Sequence, residues 1–260
     1  MRRLGPLYPA LVALGGLTRV PLPRGLEPTR DDLGSSTLWL PVVGGLIGAA
    51  MAGVIELFLA LGLVPAIAGA LGLLAGLALT GGMLELGLAR AAELAARATS
   101  PTADEPRRAG VLAIGALPAL RALGLLGMAQ GAWLAALVTA VMVARWCPLL
   151  AHASALGIKM PAPERARFTL VTGPATPARM VAAGAITVAI ALWLGRGTGL
   201  LAVLIGLATY AASLWLAHRS ARSVTSHGLA AAAAITELAV LFVFAAAHPA
   251  VTSAWVAVAP

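Results

Sequence analysis

The chain has 260 residues, of which 60% are hydrophobic and only 11% charged, with a formal net charge of +8. Its mean hydropathy of +0.93 lies far outside the range of soluble domains, where roughly a quarter of residues are charged. That composition excludes a soluble enzyme. A pI near 11.4 does not require a nucleic-acid partner, because the basic residues have a topological use.

The chain begins with Arg2 and Arg3 before an apolar stretch, 4–17, that is interrupted by Pro6, Pro9, Gly15 and Gly16. Thr18-Arg19-Val20-Pro21 is not a small-residue cleavage site, so a retained interfacial or re-entrant segment is expected. Windows long enough to cross about 30 Å of hydrocarbon follow at 38–61, 64–88, 111–128, 133–151, 200–216 and 228–247, with a shorter one at 180–194. They are continuously apolar and lack the two-residue alternation of barrel strands. The expected fold is all-α: a polytopic membrane helix bundle of about seven transmembrane helices. It forms a single integral membrane domain over 1–260, with an N-terminal cytoplasmic or interfacial segment at 1–37 and the bundle at 38–247. The Pro-containing stretches 90–110 and 152–179 read as loops.

Sixteen of the eighteen Lys and Arg residues fall on one side of this topology, with Arg145 counted among them. Arg196 lies on the other side and Arg121 within the third window. The positive-inside rule then places the N-terminus in the cytoplasm. A basic inner face also suits anionic lipid or a phosphorylated substrate. Small residues, including Gly44, Gly45, Gly48, Gly69, Gly72 and Gly76, are expected at close helix contacts. Cys147 is the only cysteine, which leaves no internal disulfide and no cysteine metal cluster.

A carboxylate in an apolar span is costly enough to be a functional candidate by default. Four acids qualify: Glu56, Glu85, Glu93 and Glu237. Positions 86, 90 and 93 share one helical face, where three carboxylates would suit magnesium, a hard cation that takes oxygen ligands. Here they are Leu86, Arg90 and Glu93, and Glu85 is displaced by about 100° from position 86. Glu93 also has helical spacing to pair with Arg90 or Arg97. His227 is a lone histidine near an interface, and His152, His218 and His248 have no ligand spacing.

Several segments resemble the cobalamin synthase family, adenosylcobinamide-GDP ribazoletransferase. Leu17-Thr18-Arg19-Val20-Pro21-Leu22-Pro23 is similar to its LTRxPxP segment, and Pro41, Gly44 and Gly48 to its PxxGxxxG stretch. Residues 81–94 align without gaps with its acidic signature, GGLHLDGLADTADG. Gly81, Gly82, Gly87, Leu88 and Ala89 match, whereas Leu84 replaces the histidine and Leu86, Arg90 and Glu93 replace three aspartates. Leu117 falls where a further aspartate is expected, and Val143-Ala144-Arg145-Trp146 is similar to the GRW turn. In 225–241, Thr225 and Glu237-Leu238-Ala239-Val240-Leu241 match, while Ser226, His227 and Ala234 replace a glycine, an aspartate and a glutamate.

The resemblance implies a magnesium-dependent transferase of the bacterial-type inner membrane. It would join α-ribazole or its 5′-phosphate to adenosylcobinamide-GDP, releasing GMP late in cobalamin biosynthesis. On that basis the implied catalytic residues are Glu93, Glu85 and Arg19, with Glu93 and Glu85 as metal ligands. Arg19, Arg90, Thr225, His227 and Glu237 are the implied substrate-binding residues, and the implied partners are the phospholipid bilayer and a corrinoid nucleotide. Three readings stay open: an active divergent transferase, a catalytically degenerate member that binds a corrinoid or a membrane partner, and a small-molecule transporter using Glu56, Arg121 and Glu237.

Overall fold

A computed structural model describes residues 7–21, 28–99, 104–152, 175–221 and 225–250. Among the described residues the fold is an all-α, polytopic membrane bundle without strands; the only β-type pairing is an isolated bridge between Met128 and Pro249. Five helices are long and apolar enough to span a bilayer, and a bent pair passes the same criterion as a unit.

Helix α1 (Tyr8–Leu17) buries Tyr8, Val12, Ala13 and Leu17 and packs on α2 (Arg30–Ser36) and α3 (Leu40–Ala60). The start of α2 is fixed by a capping box: Thr29 and Asp32 exchange side-chain-to-backbone hydrogen bonds of 2.9 and 3.3 Å. A 3-10 turn then feeds α3. The most buried helix is α7 (Trp133–His152), which packs on α3, α8 (Pro177–Ala221) and α9 (Ser226–Ala247). Small residues permit this. A Cβ added at Gly48 would lie 2.6 Å from the Leu137 carbonyl oxygen, and one at Gly44 would lie 2.9 Å from that of Val141. Gly72 and Gly76 of α4 (Pro65–Thr80) bring it equally close to Ile55 and Met51 of α3, whereas a Cβ at Gly69 would meet nothing within 4 Å.

The expected span 64–88 is not one continuous helix. It divides into α4 and α5 (Met83–Thr99), bent by 81° at Gly81 and Gly82. Both glycines have positive φ, +66° and +71°, a left-handed backbone that costs a residue with Cβ about 1–2 kcal/mol. Gly81 ends α4 as its left-handed cap. Hydropathy cannot register this break, because both sides of it are apolar.

The expected loop at 90–110 is also mostly helix. α5 continues to Thr99, and α6 (Asp104–Leu126) starts before Pro106. The run Arg90 to Ala98 is rich in strong helix formers, and Pro106 sits in the first turn of α6, where a missing N–H is tolerated. Most of the other expected loop, residues 153–174, lies outside the described residues.

Helix α8 reverses at Arg196, whose φ of +50° and ψ of −132° are non-helical. In a continuous helix residues 191 and 199 would stand about 12 Å apart. Instead, a Cβ at Gly199 would collide with the Ala191 carbonyl. Gly195 lies against Phe244, while Gly206 has returned to Val143, Val240 and Thr236. The two limbs, 177–195 and 197–221, are therefore an antiparallel pair, corresponding to the expected windows 180–194 and 200–216.

Candidate functional site: a buried charge cluster

Four charged side chains from four helices meet inside the bundle. Glu85 stands in the first turn of α5, directly after the Gly81–Gly82 break. Arg121 is on α6, three residues beyond Pro118. Glu237 is midway along α9, and Arg145 is within α7, one residue before Trp146. Their relative exposures are 5%, 9%, 3% and 9%, so all four are removed from solvent and lipid by the protein itself.

The guanidinium of Arg121 bridges the two acids. Its Nη1 donates to Glu85 Oε1, and its Nε lies 2.9 Å from Glu237 Oε1, within ion-pair range but outside hydrogen-bond alignment. Desolvating such ions costs several kcal/mol each, and their mutual attraction offsets this only when each charge is well matched. Arg121 with two carboxylates carries a net −1. Arg145 supplies the balancing +1: it lines the same narrow cavity, together with Thr80, Leu84, Met51, Glu85, Arg121 and Glu237. The Nε of Arg145 is buried without a hydrogen-bond partner. The four formal charges sum to zero, which makes the cluster tolerable in an apolar bundle.

Arg145 therefore differs from its assignment as a cytoplasmic topology residue. It lies inside α7, packed against Gly44. The cluster was only partly visible in the sequence. Arg121 and Glu237 stand together in the transporter reading, and Glu237 is also a motif match, but nothing in the sequence joins them to Glu85. The usable signal was Arg121 itself, since an arginine in an apolar span needs an acidic partner from another helix.

The remaining expected residues are distributed around this centre. Arg19 is exposed, yet its backbone N–H donates to the Leu79 carbonyl at 2.8 Å, and its side chain lies against Gly81. Glu93 forms an ion pair of 2.9 Å with Arg90, which is exposed, and packs on Gly110 of α6. Glu85 and Glu93 are eight residues apart on one helix, roughly 12 Å along its axis, and engage different arginines. Position 86, the expected motif position, is a leucine 55% exposed. It is the displaced Glu85 that faces inward. Thr225 accepts a hydrogen bond of 3.1 Å from the Gly228 N–H and so caps α9, while His227 is exposed. Glu56 is exposed near the end of α3 and is not among the cavity-lining residues. Of the three acids and bases of the transporter reading, only Arg121 and Glu237 meet.

With Arg121 in place, the donor set does not fit magnesium. Among the described residues no three His, Cys, Asp or Glu side chains converge, and the two acids that do approach one another already hold Arg121. Magnesium would need near-octahedral oxygen coordination in a position filled by a guanidinium.

No curated protein and no solved structure matches the chain. Residues 9–102, the stretch containing Arg19, the Gly81–Gly82 break, Glu85, Arg90 and Glu93, match a family model described as cobalamin-5-phosphate synthase, in agreement with the resemblance carried by the motifs.

Proposed function

We propose that this protein acts in cobalamin biosynthesis as a membrane-embedded, catalytically degenerate relative of cobalamin synthase, which binds a corrinoid nucleotide without carrying out metal-assisted transfer. In this reading the α4–α5 pair, both limbs of α8, and α3, α6, α7 and α9 make seven crossings of the inner membrane. The N-terminus, Arg19 and the start of α9 face the cytoplasm.

One observation carries the proposal: two segments of the resemblance, some sixty residues apart, meet where Arg19 contacts Leu79 and Gly81, directly before the turn that bears Glu85. Arg19 is exposed, and an arginine guanidinium pairs strongly with phosphate through charge-assisted hydrogen bonds. The acids of the resemblance are instead engaged by arginines. Glu85 and Glu237 hold Arg121, and Glu93 holds Arg90. Transfer chemistry on a diphosphate depends on cationic groups placed at the developing charge, and the two buried acids that could hold a metal there are occupied by Arg121.

The test is equilibrium binding of adenosylcobinamide-GDP to protein reconstituted in lipid, read by corrinoid absorbance. Saturable binding that falls about tenfold or more in Arg19→Ala, the scale of a charge-assisted phosphate contact, supports the proposal. Absence of binding to a folded protein contradicts it.

A further inference from the structure

We propose that Arg121 is a built-in replacement for a divalent cation: its guanidinium fills the space between Glu85 and Glu237, and removing it exposes a latent cation site. Two buried carboxylates on different helices can persist in an apolar bundle only with a counter-charge between them. Here that counter-charge comes from α6. The guanidinium reaches Glu85 through Nη1 and Glu237 through Nε, using two edges of its fork. Arginine stays charged under all relevant conditions and cannot dissociate from the chain. A bound metal can be lost; this cation cannot.

The charge count sharpens the inference. With Arg121 and Arg145 present, the cluster of two acids and two bases is neutral, and an added divalent ion would leave +2 in a desolvated cavity. Replacing Arg121 by glutamine leaves −1, and a divalent ion then brings the site to +1. Replacing both arginines leaves −2, which a divalent ion cancels. Magnesium keeps several waters and binds through as few as one or two carboxylates, and manganese takes the same oxygen ligands, so this pair, once the guanidinium no longer lies between its members, supplies the protein's share of the donor set. Cation affinity is thus expected to rise from the wild type, through Arg121→Gln, to Arg121→Gln/Arg145→Gln.

The experiment uses the full chain in detergent and Mn2+ alone as the probe, so it does not depend on the corrinoid reading. Bound Mn2+ is counted by electron paramagnetic resonance, and thermal unfolding is followed with and without millimolar Mn2+. The wild type is expected to show no bound Mn2+ that depends on Glu85 and no thermal response. The double variant is expected to bind Mn2+ and to gain several degrees in melting temperature, both lost on adding Glu85→Gln. The variant with all four positions neutral, Glu85→Gln/Arg121→Gln/Arg145→Gln/Glu237→Gln, controls for folding. Wild-type Mn2+ binding that disappears in Glu85→Gln overturns the proposal, whatever the variants do. So does a double variant that gains nothing from Mn2+, whether folded or rescued only by neutralising the acids.

Discussion

Arg121 bridges two buried acids from separate helices. Arg121→Leu leaves the two acids with Arg145 alone and a net −1, and loss of one partner from a buried pair costs about 3–5 kcal/mol. We expect that variant to unfold at a markedly lower temperature in detergent, while Arg90→Ala, which removes an exposed partner from Glu93, leaves the melting temperature within about a degree, as surface pairs contribute little. Gly81 poses a different demand. Its left-handed backbone and the Arg19 side chain beside it predict that Gly81→Ala destabilises by at least about 1 kcal/mol and also weakens corrinoid binding by displacing Arg19. A binding assay alongside the melt separates the two effects. The sequence disclosed the identity of these residues but not their partners. Glu85 looked misplaced by 100° because the motif face, not the bundle, was the reference.

Among the helices, α3 and α7 pack backbone against backbone at Gly48. A side chain at Gly48 would be driven into the Leu137 carbonyl, and backbone cannot move aside as a flexible side chain can. Gly48→Val is therefore expected to separate the two helices and to lower the melting temperature strongly, whereas Gly69→Val, which meets open space, is expected to be tolerated. Helix positions were legible from apolar length, and the spacing of Gly44 and Gly48 marked a close helix contact without naming α7 as the partner. The α4–α5 break was not legible, because Gly81 and Gly82 interrupt a run that hydropathy scores as uniform. Conversely, the polar character of 90–99 suggested a loop, although its Ala, Leu, Glu and Arg content favours helix. The reversal at Arg196 agrees with the expectation of two separate windows there, and its cause is backbone geometry rather than composition.

Taken together, the bundle combines a basic surface expected to face the cytoplasm with a charge-balanced interior. The class of fold followed from composition, since so few charges over 260 residues leave no alternative to a membrane environment. The site did not follow, because it depends on which faces of four helices converge. Orientation has its own check. With native Cys147 fully buried, an impermeant maleimide applied to intact cells should label Arg196→Cys but label Arg97→Cys only after the membrane is opened; the reverse pattern would refute a cytoplasmic N-terminus. Function turns on whether bound corrinoid is converted. Protein in lipid, shown to retain adenosylcobinamide-GDP, is supplied with α-ribazole and magnesium beside a relative whose acidic motif is intact, and GMP is measured. The account predicts GMP from the relative and none from this protein; magnesium-dependent release of GMP by this protein, abolished in Glu85→Gln, would contradict it.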